Sequence, residues 1–146
     1  MSVAMDIADA VADALAEAPV GTFSMAFTPD SLAVPRFTLS EIKTLHVTVV
    51  PASVSITGSS RGKDAWEIQI DVGVQKRVTQ RLVEPDVLAL AALTEEIVDY
   101  LRGHRFDALP RVAWLRTQID PLFAVEHLEG VGTFTSVVRL FYLVHR

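Results

Sequence analysis

The run GSSRG at 58–62 has the spacing of a nucleophile elbow, G-x-S-x-G, with Ser60 in the nucleophile's place. That motif works when a strand leads into it and a helix follows at once, so that the serine stands on a strained turn of a larger α/β sheet. Here an alternating, strand-like stretch follows, so the run reads as a hairpin loop. Extended to GSSRGKD (58–64), it approaches a phosphate-binding loop. One residue is missing between the glycines, however, and Asp64 stands where a magnesium-binding hydroxyl is needed. Arg61 and Lys63 then serve to solubilise a loop tip.

The other reactive side chains are no better arranged. His46, His104, His127 and His145 form no i,i+4 pair and no H-E-x-x-H motif. Glu126, His127 and Glu129 are close in sequence, but near neighbours on a loop seldom converge on one ion. Glu95 and Glu96 are adjacent on a helical stretch and point to different sides, which gives no acid–base pair. The chain has no cysteine, which removes disulfides, thiolate metal sites and a cysteine nucleophile. No cofactor or metal is expected, and no catalytic residue can be named.

Nucleic acid is also a poor fit. With 18 acidic and 13 basic residues the formal charge is −5, the wrong sign for affinity built on phosphate neutralisation. Trp66 and Trp114 lie in alternating stretches and read as core rather than as a stacking platform. The nearby basic residues Lys76, Arg77 and Arg81 make only a small cluster.

These residues must be carried by a scaffold, and its elements are legible. In DAWEIQIDVGVQKR (64–77), Trp66, Ile68, Ile70, Val72 and Val74 alternate with Glu67, Gln69, Asp71 and Gln75, which predicts a strand with one core face and one polar face. Residues 3–18 predict an amphipathic helix with Val3, Ile7, Val11, Ala14 and Leu15 on one stripe and Asp6, Asp9, Asp13 and Glu17 opposite. Pro19 ends it. Phe23, Met25 and Phe27 predict a short strand over 22–28, and the proline-bounded stretch 29–37 predicts a loop. Residues 45–51 and the following SVSIT predict strands joined to the ribbon through a hairpin. Over 86–102 the period becomes helical, with Leu90, Leu93, Ile97 and Leu101 on one side and Gly103 placed to cap the end. Residues 111–119 and 132–146 predict two more strands.

This order fits a single α+β domain spanning 1–146, with two helices packed on a mainly antiparallel sheet. The last strand is apolar on both faces: Val138, Leu140, Tyr142 and Val144 on one, Val137, Phe141 and Leu143 on the other. Half of the residues are hydrophobic and mean hydropathy is +0.33, high for a chain that must cover its own surface. Val137, Phe141 and Leu143 are therefore expected to meet either helices or a neighbouring subunit. The N-terminal stretch lacks the basic and uninterrupted apolar regions of a signal peptide, and no stretch suits a membrane span, so the chain reads as soluble and intracellular when made.

The first helix, the strand LHVTVVP (45–51), the ribbon DAWEIQIDVGV (64–74), the helix DVLALAALTEEIVDYL (86–101) and the final strand SVVRLFYLV (136–144) together resemble the tail terminator and tail completion proteins of long-tailed bacteriophages. The resemblance spans nearly the whole chain, least closely over 104–132. It implies a virion protein, assembled in the host cytoplasm, that forms a hexameric ring at the head-proximal end of the tail. Such a ring stops tube growth and joins the tail to the head. Its partners would be further copies of itself, the major tail tube protein and the head-completion or connector proteins. DNA would pass through its lumen without sequence-specific contact, and no membrane would be involved.

The acidic face of Asp6, Asp9 and Asp13 and the basic residues Arg61, Lys63, Lys76, Arg77 and Arg81 are then candidates for setting subunit or ring-to-ring register. Val137, Phe141 and Leu143 are candidate interface residues. A head-completion or stopper protein, or a tail-tube relative, is the alternative within that class. A small ligand-binding domain or enzyme is the alternative outside it and would require a concave pocket with convergent polar groups.

Overall fold

The computed structural model describes residues 2–33, 44–78, 83–120, 122 and 132–146. Elements follow in the order α1 (Val3–Ala16), β1 (Pro29–Ser31), β2 (His46–Ser60), β3 (Lys63–Arg77), α2 (Val83–Leu101), β4 (Ala113–Ile119) and β5 (Thr133–His145). The fold is α+β. Five strands form one sheet in the order β1-β2-β3-β5-β4; every neighbouring pair is antiparallel except β1 with β2.

The first helix starts where its sequence provides a cap. Ser2 Oγ accepts the Met5 N–H at 3.2 Å, satisfying one of the donors that a helix start leaves free. It ends at Ala16, two residues short of the expected 18. Ile7, Val11, Ala14 and Leu15 are buried and Asp9, Asp13 and Glu17 exposed, as the helical period requires. In α2, Leu90, Leu93, Ile97 and Leu101 are the buried stripe. Gly103 takes φ +68° just past the end, a left-handed conformation suited to glycine.

Both helices lie on the same side of the sheet. Their buried stripes form one core with Ile68, Ile70, Val72 and Val74 of β3 and Phe134, Val138, Leu140 and Tyr142 of β5. The helices also bind each other: Tyr100 Oη donates to the Ala14 carbonyl at 3.0 Å. β2 and β3 make a long hairpin turning at Arg61 and Gly62, with Gly62 at φ +75°. GSSRG is thus a hairpin turn and not a strand-to-helix elbow. A register shift between Pro51 and Ser53 marks a bulge in β2.

Two expectations fail. Residues 22–25 form bends and 26–28 an irregular stretch rather than a strand. Phe23, Met25 and Phe27 do pack against the core, but the Ser24 N–H donates to Glu96 of α2 at 2.8 Å instead of to a neighbouring strand. The Phe23 and Phe27 rings close to 5.1 Å. Conversely, the expected loop contains β1, which pairs in parallel with β2 through Pro29↔Val47, Asp30↔Thr48 and Ser31↔Val49. Proline is tolerated because it opens the strand at the sheet edge. Among the described residues, no helix is long and apolar enough to cross a membrane.

Candidate assembly surfaces

Because α1 and α2 share one face of the sheet, the opposite face carries the odd-numbered residues of β3 and β5. Glu67, Gln69, Asp71 and Gln75 stand beside Leu143, Phe141, Arg139 and Thr135. Val137, Phe141 and Leu143 are half-buried there, and neither α1 nor α2 lies over them. Polar side chains lace the surface. Gln69 Oε1 accepts Ser53 Oγ at 3.1 Å, and its Nε2 donates to Asp71 at 2.9 Å. The Arg116 guanidinium of β4 lies 3.9 Å from the Phe141 ring centroid and 2.6 Å from Glu67 Oε1. Half-exposed on both sides, that ion pair contributes about 0–1 kcal/mol, and the guanidinium makes a cation–π contact with the ring beside it. Thr48, Val50, Asp71, Gln75, Thr135 and Val137 frame a cradle of about 160 Å³ over Gly73.

The candidate charged residues do not form one cluster. Asp6, Asp9 and Asp13 share the outer face of α1; Asp9 accepts the Ser31 hydroxyl at 2.6 Å and so borders β1. Arg61 and Lys63 are exposed at the hairpin tip. Lys76 and Arg77 sit at the other end of β3, opposite Phe134 and Thr133. Thirteen strand residues at ~3.4 Å each put the two basic pairs roughly 44 Å apart. Arg81, Glu126, His127 and Glu129 lie outside the described residues.

The larger depressions belong to the helix side. One of about 560 Å³ is lined by 103–107, 109–114. Another of about 680 Å³ runs between the acidic face of α1 and the loop after α2. His104 lines both, packed 5.3 Å from the Tyr100 ring and 5.5 Å from Phe106. Among the described residues no three His, Asp or Glu side chains gather where they could hold a metal ion. Trp66 and Trp114 are half-buried against the core, and Trp114 Nε1 donates to Thr117 Oγ1 at 2.8 Å.

Sequence reasoning missed one surface. Val54 and Ile56 of β2 are 42% and 55% exposed, and Leu115 of β4 is 37% exposed. In the sequence the alternation of SVSIT looks like that of any half-buried strand. Only the sheet order shows that this part of β2 has β3 on one side and no strand on the other among the described residues.

No family model and no curated protein sequence matches the chain. Its fold is similar to that of a chain in the solved virion of the native gene transfer agent (GTA) particle. The similarity has a TM-score of 0.57 at 14% identity and covers 99% of this chain and 100% of that one. At that identity the likeness establishes a common fold, end to end.

Proposed function

We propose that this chain is a structural protein of a phage-like virion, and within it a tail terminator. It forms a hexameric ring at the head-proximal end of the tail, ends growth of the tube and joins the tail to the head connector. The observation that carries this reading is the end-to-end likeness to a chain of a gene transfer agent virion. The arrangement of the molecule supports it. Its polar groups are spread over faces, edges and strand ends that suit contact with other proteins, and among the described residues both helices pack on one face of the sheet. Partners are further copies of the chain, a tail tube protein and a head-completion protein.

Native mass spectrometry over a range of protein concentrations, with and without purified tail tubes, tests the reading. The expected result is a closed oligomer of six copies, alone or seated on the tube. A chain that stays monomeric and does not bind tube ends overturns it.

A further inference from the structure

We propose that the outer half of β2 pairs edge to edge, antiparallel, with β4 of a second copy of this chain. The proposal rests on the ring reading and specifies the contact that closes it.

The two borders of the sheet are unlike. β1 covers β2 only over Val47–Val49, so the stretch beyond, Ser53 to Gly58, is exposed along its length. On the far border, β4 has β5 on one side and no strand on the other among the described residues. Edge strands are ordinarily guarded by charge, especially lysine. Ser53, Val54, Ser55, Ile56 and Thr57 carry none, and Val54 and Ile56 are among the most exposed large apolar side chains of the molecule. Leu115 supplies an exposed apolar side chain on the other border, at the register shift between Trp114 and Arg116.

The borders overlap in height and are opposed in direction. Ser55 is level with Glu67, Leu143 and Ala113, and Ser53 with Gln69, Phe141 and Arg116. The lower part of the open stretch, Ser53–Ser55, therefore stands at the height of the first half of β4. Three successive antiparallel pairings separate these strands, so they run in opposite directions. A copy rotated about an axis along the strands presents Ala113–Arg116 antiparallel to Ser53–Ser55 at unchanged height; the end of its β4 comes level with Val49, where β1 already lies, and must turn away from β2 there. This makes a heterologous contact, which can repeat around a ring.

The chain has no cysteine, so introduced thiols report contacts directly. The experiment places Val54→Cys or Ile56→Cys together with Ala113→Cys or Leu115→Cys, all at exposed positions, and treats the four full-length double variants with a short bismaleimide. Within one copy β3 and β5 intervene, and at ~4.8 Å per strand the borders are roughly 14 Å apart. The expected result is a covalent ladder on a denaturing gel for at least one double variant, with loss of the monomer band, and no ladder for the single variants. A ring seen by native mass spectrometry whose double variants give no ladder overturns the edge pairing and leaves the ring reading standing. A chain that stays monomeric and gives no ladder, both alone and with purified tail tubes whose ends it does not bind, overturns both.

Discussion

Tyr142 is fully buried on β5, 5.5 Å from the Phe106 ring, and its hydroxyl has no hydrogen-bond partner among the described residues. A buried polar group left unpaired costs about 1–3 kcal/mol, so Tyr142→Phe should stabilise the chain by roughly 1 kcal/mol, read as a higher urea midpoint. Burial also pushes the phenol well above its ordinary range. The unfolded chain ionises this tyrosine near pH 10 while the folded chain holds it neutral. The folded state binds more protons there, so stability is intact below that pH and falls as pH rises above it. Tyr142→Phe should remove part of that alkaline loss, measured as urea midpoints at pH 8 and about pH 11. An unchanged slope would mean the hydroxyl ionises without leaving the folded state. The sequence placed Tyr142 on one face with Val138, Leu140 and Val144 correctly, because period two is a local property. It could not show that the hydroxyl meets no acceptor, because that depends on what β5 packs against.

Among the elements, the glycine that ends α2 gives the cleanest test of local geometry. Gly103 ends α2 at φ +68°, and a Cβ there would meet nothing within 4 Å. The cost of Gly103→Ala is then purely conformational, about 1 kcal/mol, and Asn should recover part of it. Thermal unfolding of the two variants checks the order Gly, Asn, Ala. This cap was legible because a glycine followed a helical stripe directly. The same kind of reading failed over 22–28 for an equally physical reason: alternating Phe23, Met25 and Phe27 can be buried by bends as well as by a strand, and the Ser24 N–H goes to Glu96, seventy-two residues away. β1 failed the other way. Three residues beginning with proline carry little local signal, and their pairing is imposed by β2. Long elements whose burial pattern repeats were readable; short ones decided by a distant partner were not.

For the whole molecule, the placement of the basic pairs matters more than their number. In the sequence, Arg61, Lys63, Lys76 and Arg77 look like two ends of one basic ribbon, and in the fold they are the two ends of β3. If copies join through their lateral strand borders, strand ends fall on the two rims of the ring. The hairpin tip then faces one neighbour along the tail axis, and Lys76 with Arg77 faces the other. Charge reversal at either rim should leave ring closure intact, because neither pair lies on a lateral border, and should disrupt one axial contact only. The expected result is that Arg61→Glu with Lys63→Glu, and Lys76→Glu with Arg77→Glu, both keep the native ring mass. In particle assembly followed by electron microscopy, one double variant gives tails of uncontrolled length and the other gives finished tails that do not join heads. Loss of the ring itself in either variant would place that pair on the copy-to-copy contact instead. Identical defects in the two would mean that β3 does not run from rim to rim, and unimpaired assembly in both would remove these charges from the docking of the ring.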